Sequence, residues 1–360
     1  MNTWVQVVQH LQPGGIETMA LDLKRLESSD EEGVIVSLEG NKQDALELWP
    51  RLKPFADRLI FLDKQAGWSW STVRTLVNLF RQWQTPVVHT HHIGPLIYAG
   101  IAARLAHVPV LIHTEHDAWH LRQAKRRFLQ SAILKLVKPI LVADAERVAS
   151  ELRNALILDD DQVQVIKNGV DLSQFVPGNK TRARAALGLE PAVHMVGTAG
   201  RLELVKGHAV LIEAMQFLPA NYQLCIAGQG SQKSVLEQLI EKFGLQGRVH
   251  LLGNVQNMPQ FYQSLDVFCL PSYFEGLSLV ILEAQSCSIP AVVTNVGASK
   301  EALCPGSGLL VEPGSAFTLA QALEQQINNS KVSNPRQFVK KCGDLRTTAR
   351  NYAALRQLYQ

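Results

Sequence analysis

An α/β architecture with two doubly wound parallel-sheet domains is what the sequence predicts. Three features carry it: the length, a regular alternation of short apolar runs with amphipathic ones, and glycine-rich loops that close the apolar runs. At 360 residues the chain is too long for one compact core and comfortable for two. In the first half, residues 4–9, 33–38, 58–62, 87–92, 110–113 and 139–143 read as strands. Helical patterns at 44–52, 71–83, 96–105 and 145–156, and one running to residue 24, fall between them. Such alternation means βαβ units, a parallel sheet and helices on both faces. Ligands in these sheets bind at the carboxyl ends of the strands, so the residues that end each strand are the first candidates.

The second half repeats the pattern. Strands are expected near 194–200, 223–227, 248–252, 266–270, 291–294 and 308–313, with helices at 206–217, after Gly230, at 317–328 and at 343–360. Between the halves, Pro177, Gly178, a short basic helix at 180–187 and Gly188 are linker chemistry. The predicted division is a first domain at 1–175, a linker at 176–190, a second domain at 191–340 and a final helix at 341–360.

Composition narrows the class. Apolar content of 46% and charged content of 19% are ordinary for a folded enzyme. A formal charge of +3 does not call for nucleic acid, and none is expected as a partner. Five cysteines without a CxxC pair argue against a disulfide framework and read as reduced, mostly buried apolar residues. No basic start followed by a continuous apolar core marks a signal peptide, and no apolar run reaches the length of a spanning helix. The expected location is cytoplasmic, at most peripheral to a membrane.

One segment, 122–138, is locally basic, with Arg122, Lys125, Arg126, Arg127, Lys135 and Lys138. Phe128, Leu129, Ile133, Leu136 and Val137 give it an apolar side. It suits a helix lying on an anionic membrane surface, and equally a surface helix that turns its apolar side inward.

Several strand ends carry chemistry. After the first strand, Gly14-Gly15 allows close backbone approach to a ligand, or forms a plain tight turn; it is not GxGxxG, so a dinucleotide fingerprint is absent. His89, His91 and His92 end one strand, and His113-Thr-Glu-His116-Asp117 ends the next. These imidazoles are compatible with a metal site or with simple capping of the sheet, but no HExxH or closed Cys/His set supports a metal. In the second half, Gly200 and Arg201 leave a strand, and Lys206-Gly207 opens the helix that follows. Two cations near a helix start suit a doubly charged leaving group, or are solvated surface bases. Gly228-Gln-Gly230 lacks the third glycine of a dinucleotide loop, since Lys233 stands there.

The most informative stretch is Pro271-Ser-Tyr-Phe-Glu-Gly-Leu-Ser-Leu-Val-Ile-Leu-Glu283. A buried strand precedes it, and a half-buried helix is expected to open near Leu277, so the loop delivers unpaired backbone N–H groups. Glu275 sits at that mouth and Glu283 about two turns on. Taken alone, both glutamates are compatible with surface positions. Together with Pro271-Ser272 and Phe274-Glu275-Gly276, they resemble the paired-glutamate motif of retaining family 4 glycosyltransferases with the GT-B fold.

The resemblance spans nearly the whole chain and is strongest from 168 to 314. It implies two Rossmann-like domains facing across a cleft, with a nucleotide-diphosphate sugar held mainly by the second. It implies that Arg201 and Lys206 neutralise the diphosphate without a metal or other cofactor, helped by the backbone of Gly276, Leu277 and Ser278 and by Gly14, Gly15 and Gly200. Glu283 is expected to take the ribose hydroxyls and Glu275 the hydroxyls of the donor sugar. His116, at the position that matches best, is expected beside the anomeric carbon; His113 stays open as the alternative. The Asn168-Gly-Val-Asp171 run resembles the family's inter-domain element, the loop after 252 lies near the nucleotide base in relatives, and the final helix returns to the first domain. The implied acceptor is a saccharide or lipid-linked saccharide, in cell-surface polysaccharide or lipopolysaccharide synthesis. A nucleotide-sugar epimerase of the same fold and a non-catalytic sugar-nucleotide-binding subunit are the rival readings. A glycogen-type phosphorylase is disfavoured by size.

Overall fold

The computed structural model describes residues 2–329 and 334–359. The chain divides into two compact units: 1–168 with 346–360, and 169–345.

The first unit is built on a seven-stranded sheet of β1 (Asn2–Val8), β2 (Glu31–Ser37), β3 (Leu59–Phe61), β4 (Val87–His91), β5 (Val110–Glu115), β6 (Ile140–Ala143) and β7 (Val163–Val165). Its order is β3-β2-β1-β4-β5-β6-β7, and every pairing is parallel. β4 and β5 are buried throughout, because helices cover both faces of the sheet. On one side Val73, Leu76 and Phe80 of the helix Trp70–Gln82 pack on Val5, Val36 and Val88. On the other, Met19 and Leu23 meet Trp4, Ile112 and Tyr352. Tyr352 lies on the last helix, Leu345–Arg356, and Arg356 ties that helix down by two bonds to Glu31 of 2.7 and 2.8 Å. The helical stretch after β4 contains a π segment, Leu96–Gly100, which carries Tyr98.

The second unit has a six-stranded parallel sheet of β8 (His194–Ala199), β9 (Tyr222–Ala227), β10 (Val249–Gly253), β11 (Val267–Leu270), β12 (Ala291–Thr294) and β13 (Gly308–Val311). The order is β10-β9-β8-β11-β12-β13, with the reversal beside β8. Its core joins Val196, Leu224, Val267 and Val292 to Leu211, Leu236 and Leu323 of the covering helices.

Several expectations need adjusting. The division falls at 168/169 and 345/346, not at 175/176 and 340/341. Residues 176–190 are no bare linker: the helix Lys180–Ala186 carries a buried Arg184 that donates to Asp266 Oδ2 at 2.6 Å and to Ser264 O at 2.9 Å. That guanidinium also donates to the nearby carbonyls of Pro191 and Val193, but its ion pair and its Ser264 contact are with groups about eighty residues away, which no local pattern discloses. The helix after the paired-glutamate loop begins at Leu279, and seven of its eight residues are buried rather than one face only. The helix Pro335–Cys342 was not anticipated. Four cysteines are buried and Cys342 is exposed.

Candidate active site

In the second unit the loops that leave β8 and β11 are knit together by close backbone contact. Gly207 stands at φ +67°, and a Cβ there would lie 2.1 Å from Pro271 O, so only glycine fits. Tyr273 N donates to Val205 O at 2.8 Å across the same seam. The result sets Lys206 against Glu275: Nζ to Oε1 is 2.7 Å, and Ser272 Oγ donates to the same oxygen at 2.6 Å. Glu275's side chain is 7% exposed, so its charge is stabilised by these two donors rather than by water. Ser272 is fixed in turn through its carbonyl, which accepts from Thr294 Oγ1 at 2.6 Å. Arg201, expected to pair with Lys206, is exposed. The Glu203 carboxyl on the same loop is lowered chiefly by hydrogen bonds from Ser231, with the Arg201 charge adding to them.

Glu283 is held separately. Tyr262, from the helix Met258–Gln263, donates its hydroxyl to Glu283 Oε2 at 2.6 Å, and both side chains are buried. Burial first, and the Glu283 charge second, push the Tyr262 hydroxyl well above its ordinary range, so it stays a donor. Ser278 takes the N-cap position of the Leu279–Ser286 helix without a side-chain capping bond, which leaves the first-turn N–H groups for a ligand. A cavity of about 540 Å³ opens beside β8, β9 and β10, lined by Leu202, Gly228, Gly230, Lys233, Leu252 and Gly253 among others.

In the first unit the carboxyl ends of β4 and β5 carry a buried polar cluster. His116 Nδ1 meets Asp144 Oδ2 at 3.3 Å and its Nε2 meets His91 Nδ1 at 3.2 Å, while Asn168 Nδ2 donates to Asp144 at 2.8 Å. Burial, and then the neighbouring His92 charge, push His116 down to about 3, so it is neutral at physiological pH. β5 runs to Glu115, two residues beyond the predicted strand, which places His113 inside the sheet, bonded to Thr90 and Glu115. His116 follows the end of the strand. His92 was named only with His89 and His91 as a strand-end histidine, yet its ring is the more open one, 29% exposed, 3.5 Å from Glu115 and 3.7 Å from Asp117. Burial opposes its charge, but Glu115 and Asp117 overcome this and raise it to about 9. Its backbone sits at φ +66° and ψ 166°, a region nearly confined to glycine, and such strain collects at functional sites. No sequence signal distinguishes it from His91. Gly14, in contrast, is extended rather than left-handed; what a Cβ there would meet is the Glu17 carboxylate, at 2.3 Å. Among the described residues no group of three or more His, Cys, Asp and Glu side chains is arranged to hold a metal ion.

The structure thus brings Lys206, Glu275 and Ser272 into contact, buries Glu283 beside Tyr262, and places His116 with His91 and Asp144. Tyr262 and Asp144 went unnoticed in the sequence because each matters through a partner distant along the chain, Glu283 for one and His116 and Asn168 for the other.

Known proteins resemble this chain in sequence and in fold. The family profile described as Glycosyl transferases group 1 matches residues 179–346, and that described as Glycosyltransferase Family 4 matches residues 13–174. The D-inositol 3-phosphate glycosyltransferase of Arthrobacter sp. (strain FB24) is 32% identical over 261 residues, 66% of this chain and 61% of that protein. The lipopolysaccharide core biosynthesis mannosyltransferase LpsB of Rhizobium meliloti (strain 1021) is 32% identical over 218 residues, 57% of this chain and 61% of that one. The match therefore spans only about three fifths of the length of these two relatives. Among solved structures, Anabaena HepE in complex with UDP superposes with a TM-score of 0.83 over 98% of this chain and 99% of that one, at 21% identity, a likeness of fold. The chain belongs to the family 4, group 1 glycosyltransferases of the GT-B fold.

Proposed function

We propose that this glycosyltransferase moves a sugar, with retention of anomeric configuration and without a metal, from a UDP- or GDP-linked sugar to a saccharide or lipid-linked acceptor. The observation that carries the reading is the contact between Lys206 and the buried Glu275 at the carboxyl edge of the second sheet. A nucleotide-diphosphate sugar brings a partner for each: phosphate oxygens for the cation, sugar hydroxyls for the carboxylate. Lys206 would turn to the diphosphate, with the exposed Arg201 as the second cation and Gly200 in the same loop. The N–H groups of Gly276, Leu277 and Ser278 would add to the charge stabilisation of the leaving group. Glu283, oriented by Tyr262, would accept the ribose hydroxyls. In the first unit, Gly14 and Gly15 would approach the diphosphate, and His116 would meet the donor sugar by exchanging its His91 contact. UDP in the HepE crystal and the lipopolysaccharide pathway in LpsB's name support a nucleotide-linked donor and a cell-surface product.

The test is a panel of UDP- and GDP-linked sugars incubated with wild type, Glu283→Ala and Arg201→Ala, with free nucleotide and sugar products followed. Slow release of nucleotide from one donor, lost in both variants, is the expected result. A changed sugar still attached to its nucleotide would point instead to an epimerase. Binding without turnover, even with membrane glycolipid extract added, would point to a non-catalytic subunit.

A second reading concerns location, on the cytoplasmic face of a membrane. The helix Ala124–Val137 turns Ile133 and Val137 inward but leaves Phe128 78%, Leu136 66% and Leu129 48% exposed, among Arg122, Lys125, Arg126 and Lys135. Exposed apolar side chains between cations suit an anionic bilayer surface. Among the described residues no helix is long and apolar enough to cross one. Flotation with vesicles containing phosphatidylglycerol should carry the protein, and Phe128→Ser with Leu136→Ser should abolish it.

A further inference from the structure

The loop after β3 and the first residue of the helix that follows it hold two tryptophans in solvent, and no part of the donor chemistry uses them. Trp68 is 49% exposed and Trp70 67% exposed. Their rings stand at 88° to each other with centroids 5.0 Å apart, an open corner of two aromatic faces. The corner is firmly built. Trp68 stacks on Tyr98 at 5.0 Å, and the Tyr98 hydroxyl donates to Gly67 O at 2.9 Å while accepting from Ser69 N at 3.2 Å. Lys64 lies under this stack with its side chain only 5% exposed. Its Nζ is 5.3 Å from the Tyr98 ring centre and donates to the carbonyls of Gln65 and Gly67. Ser69 caps the helix that begins at Trp70. A buried lysine, a π-helical segment that carries Tyr98 and a left-handed Gly67 are all employed to keep two indoles out of the core. Burial alone would favour the opposite arrangement.

We propose that the Trp68–Trp70 corner is a subsite for the acceptor, and that its ligand is a pyranose ring of an oligosaccharide; the inference rests on the transferase reading above and deepens it. A pyranose presents C–H groups on its face and hydroxyls around its rim. The face suits the electron-rich face of an indole, and the rim suits polar neighbours. The neighbours fit that division: Asp63, Gln65 and Ser71 are exposed, and Glu39 stands 3.5 Å from Lys64. Charge complementarity also chooses between a sugar and a lipid. The one cation inside the loop is turned inward, Asp63 and Glu39 are acidic, and Arg74 is the exposed base that follows one turn later. An anionic bilayer would be met by the opposite balance, which the helix Ala124–Val137 provides instead.

Position agrees. The loop lies at the carboxyl edge of the first sheet, where Gly14 follows β1 and His92 follows β4. β3 is two strands from β1, roughly 10 Å at the usual spacing of about 4.8 Å. A short oligosaccharide lying along this edge would stack one ring on the tryptophans while another reaches the loop after β1.

Tryptophan emission is titrated with short gluco-, galacto- and manno-oligosaccharides and with core oligosaccharide freed of lipid A. Vesicles of phosphatidylcholine with and without phosphatidylglycerol are run alongside. A saturable change with at least one saccharide is expected, about tenfold weaker in Trp70→Leu and lost in Trp68→Ala with Trp70→Ala, but kept in Trp119→Phe. Trp70→Leu retains apolar area, so a response to vesicles that survives this change, with none to any saccharide, overturns the proposal in favour of a membrane anchor. No response to any saccharide overturns it as well. Nucleotide release from the donor without acceptor should be unchanged in all these variants. Absence of release in wild type, even with membrane glycolipid extract added, would instead sink the transferase reading, independently of the fluorescence.

Discussion

Tyr262→Phe isolates one hydrogen bond at the proposed donor site. The variant keeps the ring and its edge contacts with Phe175, Phe261 and Phe268, at 6.0, 5.4 and 5.7 Å, and removes only the hydroxyl that donates to Glu283 at 2.6 Å. An O–H···O⁻ bond of that length is in the charge-assisted range, and such bonds contribute roughly 1.5–3 kcal/mol. For a unit of this size the loss should lower Tm by roughly 3–12 °C. A double-mutant cycle with Glu283→Gln, read by urea unfolding, separates this bond from the rest of the site and should return a coupling of about 2 kcal/mol. Donor affinity should fall with it, by up to about tenfold for each 1.4 kcal/mol of lost orientation. A coupling near zero would refute the claim that Tyr262 holds Glu283.

Other outcomes follow from the same geometry. Gly207→Ala should be severely destabilising, because it demands a left-handed alanine and drives its Cβ onto Pro271 O; thermal unfolding measures it, and an unchanged Tm contradicts the close approach. Burial raises the Asp266 carboxyl, but Lys180, the Met195 N–H and Arg184 more than reverse this and leave it lowered. A lowered folded pKa means stability that is present above about pH 4 and lost as pH falls further, so Asp266→Asn should be less stable than wild type at pH 7, with the gap narrowing steadily as pH falls below about 4. For His92, raised to about 9, the sign is opposite: its contribution is full below about pH 6.5 and lost as pH rises toward 9. In histidine NMR spectra one ring should titrate near pH 9, and disappear in His92→Gln, while the His116 ring stays neutral through pH 5.

How much of this was legible in the sequence depends on how local each cause is. The parallel sheets follow from the period and spacing of apolar runs, which act over a few residues, and every described strand but the three-residue β7, which was missed, falls close to where those runs lie. Helix starts at Ser69, Asn179 and Ser315 follow from side-chain caps, which are equally local. The helix Leu279–Ser286 was misjudged for the opposite reason. Its Glu283, Gln285 and Ser286 are polar, which suggests an outer face, but Tyr262, Ala302 and Phe175 meet them from 21, 17 and 111 residues away. Pairing of Lys206 with Glu275 was equally hidden, since it depends on two loops meeting at Gly207. Histidines at the ends of β4 and β5 were visible as a group. Which ring reaches solvent was not, because two extra residues of β5 and one strained backbone at His92 decide it.

The central claim is that one donor molecule is shared between Arg201, Lys206, Glu275 and Glu283. A crystal structure of the enzyme with its hydrolysable donor, or with the nucleotide diphosphate that turnover leaves behind, tests this most directly. Phosphate oxygens should lie within hydrogen-bond distance of Arg201 and Lys206, with Lys206 drawn away from Glu275 and ribose hydroxyls on Glu283. A nucleotide bound elsewhere in the second unit, with the Lys206–Glu275 contact intact and Glu283 unengaged, would contradict it.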